Sequence, residues 1–131
     1  MAEKKIVSIL KKDFAFLEKD REIMAVMLFG SHATGEATPR SDIDVTIVAP
    51  ECKDRNALLS RVWQRLGGKY DVRIFENLPL YIRAEIMDRG VVILAKDIPA
   101  LYEYFYFAVR KFWDDQKHRN LLSREEIKEM L

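Results

Sequence analysis

Four short apolar runs, each closed by turn residues and separated by helix-patterned stretches, constrain this chain most. Met24–Phe29 (MAVMLF) ends at Gly30-Ser31, and Ile43–Val48 (IDVTIV) is β-branched with Asp44 and Thr46 alternating through it. Tyr70–Phe75 (YDVRIF) alternates polar and apolar, and Val91–Ala95 (VVILA) is apolar throughout. Runs of this length and composition read as strands. Between and around them the period changes to that of helices. Ile6, Ile9, Leu10, Phe14 and Leu17 predict a helix over residues 3–19. Residues 53–66 predict another, closed by Gly67-Gly68, and Leu80–Asp88 a short one stopped by Gly90. Pro99 opens a longer helix through about Asp115, and Ser123 with Glu126 forms a capping-box pattern for a last helix. Residues 30–41 carry Gly, Ser, Thr, Pro and Asp and read as a loop with room for one helical turn. The order α-β-loop-β-α-β-α-β-α-α predicts an α/β (α+β) domain, a small mixed sheet of four strands with helices packed on it.

A chain of 131 residues suits one domain over 1–131, with a core of about 5–115 and a helical extension over 116–131. With 22 basic and 21 acidic residues, net charge gives no case for long nucleic acid. The one cysteine, Cys52, excludes an intramolecular disulfide and a cysteine-built metal cluster. No N-terminal signal pattern and no apolar run of roughly 18 residues is present, so the expectation is a cytoplasmic protein without a membrane partner.

The chemistry concentrates on two short motifs. Asp42 and Asp44 stand at i and i+2 at the start of a strand, which puts both carboxylates on one face. Two carboxylates this close repel each other unless a cation lies between them, and Mg²⁺ favours one or two carboxylates together with phosphate oxygens. Taken alone, the pair reads as a solvated strand edge, or with Asp42 as a turn or cap residue. Gly30-Ser31 follows a buried strand, where glycine lets a ligand approach the backbone and the free N–H groups with the Ser hydroxyl can meet phosphate. Taken alone, it is an ordinary turn, as is Gly35. The combination is more specific. Ten residues separate Ser31 from Asp42, and strand pairing brings both motifs to one end of the sheet. Asp71, in the third strand, is able to reach the same face. Three carboxylates beside a phosphate site equip a chain for two-metal nucleotidyl transfer, with one carboxylate accepting the proton of the attacking hydroxyl.

The run Gly30-Ser31-His32-Ala33-Thr34-Gly35 through Ser41-Asp42-Ile43-Asp44 resembles the signature of the minimal nucleotidyltransferase family, within the DNA polymerase beta-like superfamily. That signature is Gly-Ser, ten residues, then Asp-x-Asp, with a second Gly four residues after the Ser and a Ser before the first Asp. Gly35 and Ser41 meet both further conditions. The element order agrees with the family fold over roughly residues 5–115. The resemblance implies that Asp42 and Asp44 hold metal, two Mg²⁺ ions in all, and that Asp71 is the third metal carboxylate and general base. It implies that Gly30 and Ser31, with Ser41, bind the nucleoside triphosphate, ATP. The family often carries Arg in the loop after Gly-Ser. His32 and Thr34 occupy that stretch here, so Arg40 is the expected cation for the phosphates. Asp71 matches by pattern only.

Proteins of this kind are often encoded beside a HEPN-domain protein, as the antitoxin of a toxin–antitoxin pair, and adenylylate a tyrosine of that partner. The resemblance therefore implies transfer of AMP from ATP to a hydroxyl acceptor on a HEPN-type toxin. A catalytically weak module that neutralises a partner by binding is the alternative. Transfer to a small molecule, as in the antibiotic nucleotidyltransferases, ranks third, since those usually carry a further helical domain. A homo-oligomer is left open. Tyr102, Tyr104, Phe105, Tyr106, Phe107, Phe112 and Trp113 spread over more than one helix face, which is compatible with core alone or with core plus a partner surface. Lys111, Lys117, His118 and Arg119 read as a solvated helix end, and the sequence does not place Arg73 or Arg83.

Overall fold

The computed structural model describes residues 3–112, 114 and 115. Its elements run α1 (Lys4–Asp13), β1 (Ala25–Phe29), α2 (Ser31–Thr34), β2 (Asp44–Val48), α3 (Arg55–Leu66), β3 (Asp71–Ile74), α4 (Leu80–Arg89), β4 (Val91–Ala95) and α5 (Ile98–Glu103). A π-helical stretch, Tyr104–Arg110, continues α5. The expected α/β architecture with one four-stranded mixed sheet is therefore present, and the strand order is β3-β2-β1-β4. β1 pairs antiparallel with β2 and with β4, while β2 and β3 run parallel. β1 is central and covered on both faces, which is why it is apolar without alternation.

The period of two sorts the sheet into two cores. Val26, Leu28, Val45, Ile47 and Ile74 face one way and pack with Leu10, Phe14, Leu58 and Val62 of the α1 and α3 side. Ala25, Met27, Val48 and Phe75 face the other way and pack with Ile86, Leu101, Phe105 and Val109 of α4, α5 and the π-helical stretch. Each fully buried Leu or Ile here contributes about 1.5–3 kcal/mol relative to exposure. Thr46, buried on the α4 side, donates from Oγ1 to the Arg73 carbonyl at 3.1 Å, so its hydroxyl is satisfied across the β2–β3 pair.

The helices begin where their caps stand. Asp54 accepts from Ala57 N at 3.0 Å to start α3, and Asp97 accepts from Ala100 N at 3.1 Å to start α5. Gly67, with φ 62°, ends α3.

Two helices differ from the sequence expectation. The helix predicted over 3–19 stops at Asp13, and a 3₁₀ turn over Ala15–Leu17 follows. Phe14 leaves helical geometry and is fully buried against Tyr70, with ring centroids 5.5 Å apart, while the tighter turn lowers Leu17 onto the sheet. The helix predicted from Pro99 starts at Ile98 and widens into π geometry. Phe105 and Val109 are buried, while Tyr102, Tyr106, Phe107 and Phe112 stay 57%, 61%, 66% and 53% exposed. The aromatic helix thus supplies both core and open surface. Trp113, Lys117, His118, Arg119 and the predicted cap at Ser123 lie outside the described residues. Among the described residues no helix is long and apolar enough to cross a membrane.

Candidate active site

Strand register sets the site. Phe29 pairs with Asp44 across β1–β2, and Asp44 pairs with Asp71 across β2–β3. The parallel ladder begins one residue earlier, where Asp71 N donates to the Ile43 carbonyl at 3.0 Å. Asp44 and Asp71 therefore stand side by side on the α4 face of the sheet, at the end where β1 delivers Gly30. Both are half-buried, and Asp42, two residues before Asp44, is exposed.

The Asp44 carboxyl is held above its ordinary value of 3.8. Loss of hydration is the main cause, and the neighbouring Asp71 and then Asp42 add to it, while Arg73 opposes the shift. Arg73 Nε lies 3.3 Å from Asp71 Oδ1, at an exposed edge of the sheet. Among the described residues no three His, Cys, Asp or Glu side chains are already gathered as a metal cluster. The donor chemistry nonetheless fits a hard divalent cation: carboxylate oxygens only, crowded enough that Asp44 resists ionising.

The loop from Gly30 to Asp42 is built around this end of the sheet. Gly30 has φ 74° and ψ −155°, a conformation essentially confined to glycine. Its carbonyl accepts from Ala33 N at 3.1 Å and Thr34 N at 3.3 Å, so it anchors the single turn of α2. Gly35, with φ 82°, ends α2, and Glu36 N donates to the Ser31 carbonyl at 3.0 Å. His32 Nε2 lies 3.1 Å from the Ser41 carbonyl and ties α2 to the residue before Asp42. Ser41 closes a turn of its own: Thr38 N donates to Ser41 Oγ at 2.9 Å, and Ser41 N donates to the Thr38 carbonyl at 3.0 Å.

Of the expected site residues, Gly30, Asp44 and Asp71 come together, with Ser31 and Asp42 next to them in the chain. Ser41 shapes the loop with its hydroxyl, and Arg40 is exposed on that loop. The tether by His32 and the Asp71–Arg73 pair were not foreseen in those roles. Nor was the approach of α4: Phe29, Gly30 and Thr34 share a cavity of about 170 Å³ with Ile82, Glu85, Ile86, Arg89 and Gly90. Arg83 does not line it; its Nε is buried without a hydrogen-bond partner among the described residues.

Residues 4–99 match the family described as Polymerase beta, Nucleotidyltransferase. "Putative protein adenylyltransferase MJ1547" of Methanocaldococcus jannaschii is 43% identical over 98 residues, which is 75% of this chain and 75% of that protein. "Putative protein adenylyltransferase MJ0141" of the same organism is 35% identical over 72 residues, covering 53% of this chain and 71% of that protein. The fold is shared with a toxin–antitoxin crystal structure containing AMP-PNP, at TM-score 0.66 and 16% identity over 89% of this chain and 97% of that one. It is shared too with a chain from the complex of tri-AMPylated Shewanella oneidensis HEPN toxin with MNT antitoxin, at TM-score 0.62 and 14% identity over 92% and 98% of the two chains. A match over residues 4–99, reinforced by a relative at 43% identity, places the chain: it belongs to the polymerase beta nucleotidyltransferase family.

Proposed function

We propose that this protein transfers AMP from ATP to a hydroxyl on a partner protein, a tyrosine of a HEPN-type toxin, and acts as that toxin's antitoxin. The observation that carries the reading is the register of Asp44 against Asp71, with Gly30 closing over Asp44. The printed descriptions of the relatives as protein adenylyltransferases, and of the structural neighbours as toxin–antitoxin complexes, support the acceptor class.

In this reading Gly30 and Ser31 hold the triphosphate against the end of the sheet. Asp71 accepts the proton of the acceptor hydroxyl. The hydroxyl oxygen bonds to the α-phosphorus, and the bond from that phosphorus to the pyrophosphate oxygen breaks. Asp42, Asp44 and Asp71 would hold Mg²⁺, two ions, which when bound neutralise the carboxylates and the developing phosphate charge. His32 and Ser41 keep the loop folded so that Asp42 stays beside the phosphates.

Incubation of the full chain with α-³²P-labelled ATP, Mg²⁺ and a HEPN partner tests this. Label on a tyrosine of the partner is expected, with loss of label in Asp42→Asn and Asp44→Asn. No transfer to the partner or to other protein acceptors would sink it. The Arg73–Asp71 pair favours a second reading, a module that neutralises by binding, because the guanidinium occupies the carboxylate that the transfer step would use. Neutralisation that survives the Asp42→Asn, Asp44→Asn double change identifies that reading.

A further inference from the structure

We infer that two copies of this chain pair through their β3 edges, antiparallel and centred on Val72, joining their sheets into one. β3 lies at the end of the strand order and pairs with β2 alone. Asp71 N donates to the Ile43 carbonyl in that ladder, and the Arg73 carbonyl accepts from Thr46 Oγ1 at 3.1 Å. Asp71 and Arg73 thus turn their backbone groups inward, and alternation turns the N–H and C=O of Val72 outward. An edge of this kind is a template for another strand unless it is blunted. The other edge strand, β4, is blunted, because the register of its ladder with β1 shifts between Val26 and Met27. The β3 ladder is regular from Asp71 to Ile74.

The residues around Val72 fit a second copy. In antiparallel pairing about a two-fold axis, Val72 faces Val72 of the other copy, and the two exchange both N–H···O bonds. Asp71 then stands opposite the partner copy's Arg73, and Arg73 opposite the partner copy's Asp71, on the same face of the sheet. Edge charges of one sign would repel in this arrangement. These two, of opposite sign on either side of the centre, attract. Both side chains are available there, Asp71 at 38% and Arg73 at 58% exposed. On the other face, Leu59, Val62, Trp63, Gly67 and Val72 line a groove of about 340 Å³ beside the edge, and Trp63 is 66% exposed. The two-fold axis brings the two grooves together, so each indole gains cover that its own chain does not give it. Aromatic side chains of this kind are what protein interfaces bury. Each copy also sets an arginine beside the other's Asp71, at the margin of the carboxylate site.

A four-residue strand and one indole bury little area, so the pair belongs to the weak, reversible class, below about 1,200 Å². Sedimentation equilibrium of the full chain, up to about 1 mM, should show a monomer–dimer equilibrium. Arg73→Asp leaves Asp opposite Asp, and Asp71→Arg leaves Arg opposite Arg. Each variant alone should therefore dimerise more weakly by about tenfold or more. Mixed in equal amounts, they place Asp opposite Arg at both positions, and the mixed dimer should return to within about threefold of the parent. No contact within one chain reproduces that rescue. Trp63→Ala, at an exposed position, should also weaken the parent dimer by about tenfold. In the parent, hydrogen exchange followed by NMR should slow at the Val72 amide as concentration rises, with the ladder amides of Asp71 and Arg73 unchanged. Four results overturn the pairing: a parent that stays monomeric to about 1 mM, a dimer indifferent to both charge changes, a mixture no tighter than its components while both melt like the parent, or a dimer that leaves Val72 exchange unchanged.

Discussion

Gly30 and Asp44 contend for the same space: a Cβ placed on Gly30 would run into Asp44 Oδ2 and stand 3.3 Å from Asp44 Cγ. The glycine is therefore fixed twice over, by its φ of 74° and by the carboxylate that β1–β2 pairing sets against it. The motif of Gly-Ser and Asp-x-Asp, separate in sequence, is one packed unit in the fold.

Gly30→Ala should therefore damage both stability and the site. The backbone conformation alone costs a non-glycine residue on the order of 1–3 kcal/mol. The Asp44 carboxylate must also swing away from the added methyl. A lower urea midpoint and weakened Mg²⁺–ATP binding are expected together. Unchanged values of both would show that the loop relaxes freely around the methyl group.

Asp44→Asn should raise the melting temperature at neutral pH when no divalent ion is present. The carboxylate is poorly hydrated and stands beside Asp71, so its ionised form is disfavoured in the folded protein. The amide keeps the shape and removes the charge. Mg²⁺ should stabilise the parent by mass action and have little effect on the variant. Differential scanning calorimetry with and without Mg²⁺ reads both effects, and a lower melting temperature for the metal-free variant would contradict the account.

On the opposite face of the sheet, Asp13 offers a test by pH. Tyr70 OH and Lys69 Nζ both donate to its Oδ2, the latter at 2.9 Å, and they hold its carboxyl below 3.8. A depressed carboxyl adds stability above its unfolded value, and that stability is lost as pH falls through the folded value. Burial, then Asp13, raises the Tyr70 hydroxyl above 10.0, so the hydroxyl's contribution is lost as pH rises past 10.0. Asp13→Ala leaves the part-buried Tyr70 hydroxyl without its acceptor and should lower stability at pH 7. The penalty should shrink below pH 3.8. A penalty constant across that range in chemical denaturation would assign Asp13 a packing role instead.

Much of this arrangement was legible in the residues. The four strands are short apolar runs between turn residues, and period two in β2 sets Asp44 and Thr46 against Val45 and Ile47. What escaped depends on which elements meet. Whether Asp71 stands beside Asp44 depends on β3 docking parallel to β2, which follows from α3 burying Leu58 and Val62 against the sheet. The sequence of α4 shows an apolar side at Ile82 and Ile86 but not the strand end it rests on, so its approach to Gly30 was not readable. The break after Asp13 and the π-helical stretch escaped for a related reason. Both re-aim aromatic side chains into the core without disturbing the helical spacing of the sequence.

Asp71 separates the enzyme from the binding module. Its carboxylate is paired by register with Asp44 and held by Arg73 at 3.3 Å, so removing its charge leaves Gly30, Ser31 and Asp44 in place. If Asp71 accepts the proton of the acceptor hydroxyl, Asp71→Asn should slow label transfer by about 10²–10⁴-fold, the usual contribution of a general base. ATP affinity should change far less, because the phosphates are held by the loop. Arg73→Ala frees the same carboxylate from its ion pair and should raise the transfer rate. Single-turnover transfer and equilibrium ATP binding, measured on both variants, separate the two effects. Equal losses of binding and transfer in Asp71→Asn would make Asp71 part of nucleotide binding and leave the proton without its acceptor.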